Sequence, residues 1–525
     1  MLPTTAGGSS STVALANEQA TERLVLDIAA AIEPGDLITL SGDLGAGKTT
    51  FARAMIRTLA GDPNIAVPSP TFTLIQSYDL PRFPVVHADL YRLEGPGELA
   101  ELGFEDLPRN AVVLLEWPDR AAGFLPSDRL DIAFTLAPLS GPEHRNVRIT
   151  GYGSFAARAE RIAAIRRFLD ATTFALAERE RIQGDASTRS YERLRAGEQR
   201  AILMNAPRRP DGAPVRDGKP YSAIAHLAED ILPFVAMANG LRHFGFSAPR
   251  IYEAELAEGL LILEDLGSEP VVTGTPPAPI EERYAAAIDM LAALHRQTLP
   301  ATLRVAPNVS HTLPPYDIDA YLIEAELLLD WYMPWRGAEV TEAMRADYVA
   351  LWRDALAVAL ETAPTWVLRD FHSPNLIWLP DRQGVAQVGL LDFQDAMMGP
   401  PAYDVASLLQ DARVDVPEPM EIALLGRYVR QRLESEPGFA PATFAQVYAT
   451  VAAQRASKIL GIFARLNRRD GKPQYLRHIP RVWGYLQRSL AHPALAALKD
   501  WYGAHVPPPE AEQQAAAADT GATQG

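Results

Sequence analysis

The chain has 525 residues, too many for a single hydrophobic core, and a prior of about 150 residues per domain predicts roughly two to four domains. A net charge of −16 argues against a basic surface that coats nucleic acid, and the absence of cysteine excludes disulfides, thiolate zinc sites and cysteine nucleophiles. The N-terminus carries no signal-peptide pattern, and no apolar run approaches the roughly 20 residues of a membrane-spanning helix. We therefore expect a cytoplasmic protein with no membrane partner.

The first 150 residues alternate between short apolar runs and helical periodicity, which is typical of an α/β domain with a mainly parallel sheet. Residues 1–15 open on a Gly/Ser/Thr-rich stretch that predicts disorder, so the domain is placed at 16–153. The predicted elements are a helix at 16–32, a strand at 37–42, a helix at 48–60, a strand at 83–89, a helix at 97–107, a strand at 111–117 and a hairpin over 129–153.

A helix at 154–174 marks the junction with a second domain, placed at 154–503, whose pattern is α+β. Alternating strands come first, and helical periodicity dominates afterwards. The predicted elements are strands over 190–207, a polar loop at 207–220, a helix near 223–243, a strand at 260–267, mainly helix over 281–360, a strand–loop–strand at 366–395 and helices to about 503. The tail at 504–525 is of low complexity and is expected to be disordered.

The segment GDLGAGKT, residues 42–49, matches the phosphate-binding pattern G-x-x-x-x-G-K-[ST] between a predicted strand and a predicted helix. Glycines let backbone N–H groups turn toward phosphate oxygens, and the positive end of the helix faces the same anion. We expect Lys48 to reach the terminal phosphates and the Thr49 hydroxyl to hold Mg²⁺. The predicted ATP-binding residues of this loop are Gly42, Asp43, Gly45, Ala46, Gly47, Lys48, Thr49 and Thr50.

Two carboxylates stand at the ends of predicted strands near this loop. Asp89 ends the strand at 83–89, and Glu116 follows the apolar run that begins at 111. Either could be a solvated strand-end acid, but the carboxyl ends of parallel strands face the ligand side of such a sheet. The phosphate loop therefore favours a role at Mg²⁺ for both.

Four segments occur in order at compact spacing: SGDLGAGKTTFARA, VPSPTFTLIQSYD, HADLYRL and LLEWPDRA. Together they resemble the TsaE family, the ATPase subunits of the bacterial system that makes threonylcarbamoyladenosine in tRNA. The resemblance covers roughly residues 15–150. It implies an ATPase whose catalytic residues include Lys48 and Glu116, with Mg²⁺ among Thr49, Asp89 and Glu116. It also implies a switch-like segment containing Thr71, partner subunits related to TsaB and TsaD, and only an indirect role for tRNA.

Trp117 follows Glu116 directly and has two readings. The resemblance to TsaE places it beside the nucleotide. The alternative is a tryptophan of the hydrophobic core.

A second candidate site lies in the predicted strand–loop–strand. Asp370 and Asn375 have D-x-x-x-x-N spacing, and Asp392 follows after a second short strand. In protein-kinase-like enzymes this layout lets the first Asp accept the proton of the substrate hydroxyl, while the Asn and the second Asp hold Mg²⁺ on the nucleotide phosphates. The structural alternative is a pair of acids on a solvated hairpin.

The segments GDASTRSYERL, LLILEDLG, RDFHSPNL and LLDFQDA run in order between residues 184 and 396. They resemble the AmgK-type N-acetylmuramate/N-acetylglucosamine 1-kinases of cell-wall recycling, within the aminoglycoside phosphotransferase family. The resemblance implies a bilobal protein-kinase-like fold and an amino-sugar substrate. It implies that Asp370 is the general base, that Asn375 and Asp392 bind Mg²⁺, that Gly184–Ser187 covers the nucleotide, and that Glu264 and Leu266 lie at the adenine hinge.

Departures from the kinase pattern leave alternatives open. Met204 occupies the position where a kinase usually carries a phosphate-binding lysine, which would also suit an inactive scaffold for the tRNA-modification complex. The second domain could instead phosphorylate aminoglycosides or another small molecule, and the first could be an independent small-molecule kinase or GTPase. The basic residues Arg455, Lys458, Arg465 and Lys472 form either a solvated helix face or a wall of the sugar pocket.

Overall fold

A computed structural model of the chain describes residues 8–93, 98, 108–121, 123–182, 189–208 and 212–510. The chain divides into two compact units, Met1–Leu203 and Met204–Gly525. The division falls within a strand, Gln199–Asn205. Within the described ranges, no helix combines the length and the apolar character needed to cross a membrane.

The first unit is built on one mixed sheet with helices packed against it. Its elements are β1 (Ser9–Leu15), α1 (Glu18–Ala29), β2 (Leu37–Ser41), α2 (Lys48–Ala60), β3 (Ile75–Tyr78), β4 (Val85–Asp89), β5 (Val112–Glu116), β6 (Arg129–Leu136), β7 (Arg145–Tyr152), α3 (Phe155–Asp170), β8 (Glu178–Ile182) and β9 (Ser190–Ala196). The strand order of the sheet is β1–β7–β6–β2–β5–β4–β3. Its four adjacent strands β6, β2, β5 and β4 are parallel, and the flanking pairs are antiparallel.

The apolar sequences of β2 and β5 explain why these strands lie at the centre of the sheet. β2 and β5 are short and apolar, and their side chains are buried against α1 and α2. α1 begins at Asn17, whose side-chain oxygen accepts from the Ala20 amide at 3.0 Å. The predicted strands at 37–42, 83–89 and 111–117 and the hairpin over 129–153 are all observed. The helix predicted at 97–107 falls almost entirely outside the described residues.

The expected disorder of residues 1–15 needs a correction. Residues Ser9–Leu15 form β1, which pairs antiparallel with β7. The composition of this segment is poor in apolar residues, but the free edge of β7 offers unpaired backbone groups, and β1 satisfies them. The pairing joins residues that are far apart in sequence, so local composition does not predict it.

The helix predicted at the junction, α3, packs on the first unit's sheet. A Cβ on Gly151 of β7 would overlap the backbone oxygen of Phe155 and crowd Ala159, so glycine permits the close crossing. Arg158 donates from both terminal nitrogens to Asp36, at 2.7 and 2.8 Å. This bidentate pair fixes the start of α3 against the loop that precedes β2.

A buried ion cluster joins α1 to the hairpin of β8 and β9. Arg179 on β8 pairs with Asp27 of α1 and with Glu192 of β9, where Nε lies 2.6 Å from the carboxylate. Asp27 is 3% exposed. Burial raises the pKa of Asp27 despite the opposing charges of Arg179 and Arg166. Arg179 therefore bridges two nearly buried carboxylates, and Arg166 adds a second positive charge at 3.9 Å from Asp27.

Replacing Arg179 by Met should lower the free energy of unfolding of the first unit by about 3–5 kcal/mol, because Glu192 would lose its buried ion pair and Asp27 would keep only the more distant Arg166, at 3.9 Å. The methionine keeps the apolar stem. The check is calorimetric unfolding of the full chain. Arg181→Met, at an exposed position two residues further along the same strand, should stay within about 0.5 kcal/mol. Equal transitions for the two variants would contradict the expectation.

The second unit is helical apart from small sheets. Its elements are β10 (Gln199–Asn205), which crosses the division, β11 (Pro214–Arg216), β12 (Lys219–Pro220), α4 (Tyr221–Ile224), α5 (Leu232–His243), β13 (Ile251–Glu255), β14 (Leu260–Glu264), β15 (Val272–Thr273), β16 (Ala278–Pro279), α6 (Glu281–His295), β17 (Thr302–Ala306), β18 (Val309–Thr312), α7 (Ile318–Ala325), α8 (Met333–Trp335), α9 (Glu342–Glu361), β19 (Thr365–Val367), β20 (Leu376–Trp378), β21 (Val388–Leu390), β22 (Met397–Gly399), α10 (Ala402–Leu409), α11 (Glu418–Ser435), α12 (Pro441–Asp470), α13 (Ile479–Leu490) and α14 (Ala496–His505).

Helix α12 is the 30-residue centre of this unit. It packs against α7, α10 and α13. The loop that connects β19 to β20 lies close to it and carries the predicted kinase-like residues. Met204, in β10, is 1% exposed and offers no charge for phosphate. The predicted tail at 504–525 overlaps the end of α14, and residues 511–525 lie outside the described ranges.

Candidate active sites

The glycine loop connects β2 to α2 in the way the pattern predicts. Gly42, Gly45 and Gly47 all have positive φ, and a Cβ on Gly42 would overlap the backbone oxygen of Phe134. Ala46 is fully buried, and its carbonyl accepts from Arg145 Nε at 3.2 Å. Arg145, on β7, was not anticipated from the sequence. It holds the loop from the start of β7, a strand two positions away from β2 in the sheet.

Lys48 is folded over its own loop. Its Nζ donates to the carbonyls of Gly42 and Asp43, at 2.8 and 2.9 Å, and lies 3.9 Å from the centre of the Trp117 ring. Burial lowers the pKa of Lys48, and the carboxylates of Glu116, Asp89 and Asp43 partly offset this. Trp117 has φ of 59°, and its ring packs against the Tyr91 ring at a centroid distance of 5.0 Å with the two planes tilted by 50°. The Trp117 side chain also packs against a small apolar cluster that includes Leu90 and Leu115, so its place beside the nucleotide stays a prediction.

The parallel pairing of β4 with β5 places Asp89 opposite Glu116. Glu116 accepts from the Thr49 hydroxyl at 3.0 Å, and Asp89 accepts from the Thr71 hydroxyl at 3.0 Å. Thr50 follows on α2 and is partly buried. The structure thus brings the predicted residues of strands, loop and switch-like segment to one sheet edge. Hydroxyl and carboxylate oxygens are the ligands that Mg²⁺ prefers, so the donor set fits the ion.

His87 was missed by the sequence reasoning. It lies two residues before Asp89 on the same face of β4, is fully buried, and its Nε2 lies 2.9 Å from Glu116 Oε1. Glu116 is therefore held at one oxygen by His87 and at the other by Thr49. The alternation of side chains along a strand was the available signal, because it places residues 87 and 89 on one face.

Replacing His87 by Leu should reduce ATP hydrolysis at the first site by about tenfold, since Glu116 would lose a charge-assisted hydrogen bond worth roughly 1.5–3 kcal/mol. His87→Gln, which can still donate, should retain most of the rate. Steady-state ATPase assays and the binding of a fluorescent ADP analogue would separate kcat from affinity. If the leucine variant weakens nucleotide binding and leaves kcat intact, His87 does not position Glu116.

The second site is organised around the backbone of its loop. Asn375 Nδ2 donates to the Asp370 carbonyl at 2.9 Å, and the Leu391 amide donates to the Asn375 carbonyl at 2.9 Å. The second bond brings Asp392 beside Asn375. Asp392 has φ of 55° and accepts from Gln394 at 2.9 Å. The structure therefore gathers all three residues that the spacing singled out.

Two buried acids support this loop. Asp404 of α10 is fully buried and accepts from the amides of Leu368 and Arg369 at 2.6 and 2.9 Å. Burial raises its pKa to about 7. Asp411, which the sequence reasoning missed, accepts from the Ser373 amide and hydroxyl at 2.8 and 2.5 Å. These bonds fix the backbone on both sides of Asp370.

Cations set the charge state of Asp370. Burial alone raises the pKa of Asp370, but Lys458, together with His372 and Arg369, outweighs burial and leaves the pKa below its ordinary value. Lys458 and Arg369 both pair with Glu324 of α7. Glu324 was not anticipated, because nothing in the sequence distinguishes it from the other acids of the helical region. An ionised carboxylate at Asp370 is the state that can accept a proton.

The predicted hinge lies at the end of β14. The Glu264 amide donates to the Arg250 carbonyl at 2.8 Å, while its carboxylate accepts from Arg382 at 2.6 Å. The Glu264 side chain thus has a structural role in this ion pair. Leu266 lies two residues further along the chain. Gly184 and Ser187, predicted to cover the nucleotide, lie outside the described residues.

Within the described ranges, no three His, Asp or Glu side chains are grouped closely enough to hold an ion. Asn375 and Asp392 nevertheless supply oxygen donors that suit Mg²⁺, which proteins commonly bind through one or two carboxylates together with substrate phosphates.

Two family models match the chain. One, described as "Threonylcarbamoyl adenosine biosynthesis protein TsaE", matches residues 15–144. The other, described as "Phosphotransferase enzyme family", matches residues 178–447. Both resemblances inferred from the sequence motifs are confirmed, and so is the fold class: an α/β nucleotide-binding domain followed by a kinase-like α+β domain.

Curated relatives divide the chain in the same way. An N-acetylmuramate/N-acetylglucosamine kinase of Caulobacter vibrioides is 41% identical over 362 residues, which are 66% of this chain and 98% of that protein. A kinase of the same name from Pseudomonas aeruginosa is 33% identical, covering 60% of this chain and 84% of the relative. A tRNA threonylcarbamoyladenosine biosynthesis protein TsaE of Rickettsia bellii is 38% identical, covering 23% of this chain and 84% of the relative. The chain is therefore a fusion that belongs to the TsaE family through its first part and to the phosphotransferase enzyme family through its second.

Proposed function

We propose that the chain carries two separate ATP-dependent activities. The first part hydrolyses ATP in support of threonylcarbamoyladenosine modification of tRNA. The second phosphorylates the anomeric hydroxyl of N-acetylmuramate or N-acetylglucosamine. The observation that carries the second activity is the bonding of Asn375 to Asp370 and of Leu391 to Asn375, in a chain that covers 98% of a kinase named for these sugars.

In the second site, Asp370 accepts the proton of the sugar hydroxyl as its oxygen attacks the γ-phosphorus. The bond to the bridging oxygen breaks, and ADP leaves. Asn375 and Asp392 would hold Mg²⁺, which supplies charge neutralisation for the phosphates when bound. The cations around Asp370 keep it ionised and argue against a polycationic aminoglycoside as acceptor, because like charges repel.

In the first site, Lys48 exchanges its loop carbonyls for the terminal phosphates, and Glu116, held by His87, orients the attacking water. Thr49, Asp89 and Glu116 would hold Mg²⁺ there. As a member of the TsaE family, this part interacts with the tRNA-modification complex. We propose that its partners are TsaB- and TsaD-like subunits and that tRNA is reached only through them. Since both activities use ATP, we assign the chain to the cytoplasm.

Transfer of labelled γ-phosphate by the full chain to a panel of acceptors tests the kinase activity. The panel contains N-acetylmuramate, N-acetylglucosamine, glucose and kanamycin. We expect label on the two N-acetylated amino sugars. Label confined to kanamycin, or no label on any acceptor from a folded protein that binds ATP, would refute the assignment. The second of these outcomes would favour the inactive scaffold.

Co-purification tests the first part. The full chain should retain TsaB- and TsaD-like subunits in an ATP-dependent manner, and Thr49→Val, which removes the hydroxyl but keeps the side chain's shape, should weaken this dependence. If neither subunit is retained with ATP present, the proposed partners are wrong.

A further inference from the structure

One face of α12 carries two cations that lie at different distances from the catalytic loop. Lys458 and Arg465 are seven residues apart, which is two helical turns and about 10 Å along the axis. They point to the same face, toward α4 and α7. Tyr221 is the first residue of α4. Burial and the charge of Glu324 raise the pKa of its hydroxyl, and the positive charges of Lys458 and Arg465 partly offset that rise. Of the two cations, Arg465 is the one whose guanidinium lies over the Tyr221 ring, at 5.8 Å from its centre.

At the Lys458 end, the cations are already paired with a carboxylate. The Lys458 Nζ donates to Glu324 Oε1 at 2.7 Å, and Arg369 pairs with the same oxygen. The Tyr316 hydroxyl donates to the other oxygen of Glu324 at 2.6 Å. Because Arg369 directly precedes Asp370, this end lies where the acceptor hydroxyl must meet its base. Its cations already have a carboxylate.

The Arg465 end is different. Its guanidinium lies 5.8 Å from the centre of the Tyr221 ring. Its Nε is buried without a hydrogen-bond partner, and no ion pair of Arg465 is found among the residues that the structure describes. The neighbouring acid, Asp470, is already paired with Arg469 at 2.7 Å. A partly buried guanidinium without a carboxylate is poised to bind an anion, since desolvation has weakened its hydration.

We infer that Arg465, with Tyr221 beside it, forms a subsite for a carboxylate on the acceptor sugar. The inference rests on the proposed kinase function. It assigns a residue to the one chemical group by which the two proposed acceptors differ. N-acetylmuramate is N-acetylglucosamine with a lactyl ether on the ring, and that ether ends in a carboxylate away from the anomeric hydroxyl. With the anomeric hydroxyl at Asp370, this subsite requires the lactyl arm to extend along α12 toward Arg465. The planar guanidinium fork matches a carboxylate in two-point contact.

Steady-state kinetics of Arg465→Gln with both sugars test the subsite. We expect KM for N-acetylmuramate to rise about 10- to 100-fold, the loss of a charge-assisted contact. KM and kcat for N-acetylglucosamine should stay within about twofold of wild type, because this sugar has no carboxylate to lose. Arg468→Gln, an exposed arginine of the same helix, is the matched control and should change neither sugar.

A second measurement uses the unaltered chain, so it does not depend on how a variant folds. The methyl ester of N-acetylmuramate keeps the lactyl arm but lacks the charge, and its KM should approach that of the Arg465→Gln variant with the free acid. Arg465→Lys, which keeps the charge without the fork, should show a smaller rise in KM than the glutamine variant.

The inference is overturned if the ester and the free acid are equally good substrates, or if Arg465→Gln shifts KM for both sugars alike. Those outcomes differ from failure of the proposed function itself, in which the unaltered chain would transfer phosphate to neither sugar.

Discussion

Replacing Asp370 by Asn should reduce phosphate transfer to the amino sugar by about 10²- to 10⁴-fold and leave ATP hydrolysis at the glycine loop unchanged. The amide has the shape of the carboxylate but cannot take up the hydroxyl proton. The backbone bond from Asn375 goes to the Asp370 carbonyl, so it survives the change. Measured on the full chain, the loss should appear in kcat with KM for ATP nearly constant.

Asp381→Asn is the matched control for this variant. Asp381 is an exposed acid between β20 and β21, close in sequence to the site but not part of it. Its replacement should leave both activities intact. If Asp370→Asn keeps wild-type transfer, the assignment of the base is wrong. If it abolishes both activities while the protein stays folded, the two sites are not independent.

Replacing Lys48 by Ala should reduce ATP hydrolysis at the first site by at least about 10²-fold and leave sugar phosphorylation unchanged. Lys48 is the only lysine of the first unit, and its ammonium is already desolvated beside Trp117. Alanine removes the charge that would meet the terminal phosphates and vacates the contact with the ring. Colorimetric phosphate release and labelled transfer to N-acetylglucosamine measure the two activities in one preparation.

Lys219→Ala controls for loss of a lysine as such, because Lys219 is exposed on β12. It should leave ATP hydrolysis at wild-type level. Retention of hydrolysis in Lys48→Ala, when Asp370→Asn has already silenced the second site, would show that the glycine loop is not where this ATP is cleaved.

Sequence patterns predicted the features that depend on neighbours along the chain. The loop of Gly42 to Thr49 was predicted from spacing, because its chemistry requires contiguous residues between a strand and a helix. The hairpin of β6 and β7 was predicted from alternation and a turn. Asp370, Asn375 and Asp392 were predicted from their spacing between two apolar strands, and the structure brings them together.

Features that depend on distant pairing were not predicted. β1 reads as a disordered segment because its composition is polar, and only the edge of β7 makes it a strand. Glu324 is one acid among many until α7 and α12 fold together and give it Arg369 and Lys458 as partners. Asp27 and Arg179 likewise become an ion pair only after α1 meets β8.

The ion pair between Asp27 of α1 and Arg179 of β8 limits where the chain can be truncated for experiments on its separate parts. A fragment that begins just before α3 would contain this helix without the sheet of the first unit, against which its apolar side packs. A fragment that begins just after α3 would still contain Arg179 without its partner Asp27. Neither piece would keep all the contacts that these segments make in the full chain. Comparisons of isolated halves with the intact fusion therefore have to compensate for the lost ion pair. One way is to replace both Asp27 and Arg179 by neutral residues, so that neither half carries an unpaired buried charge.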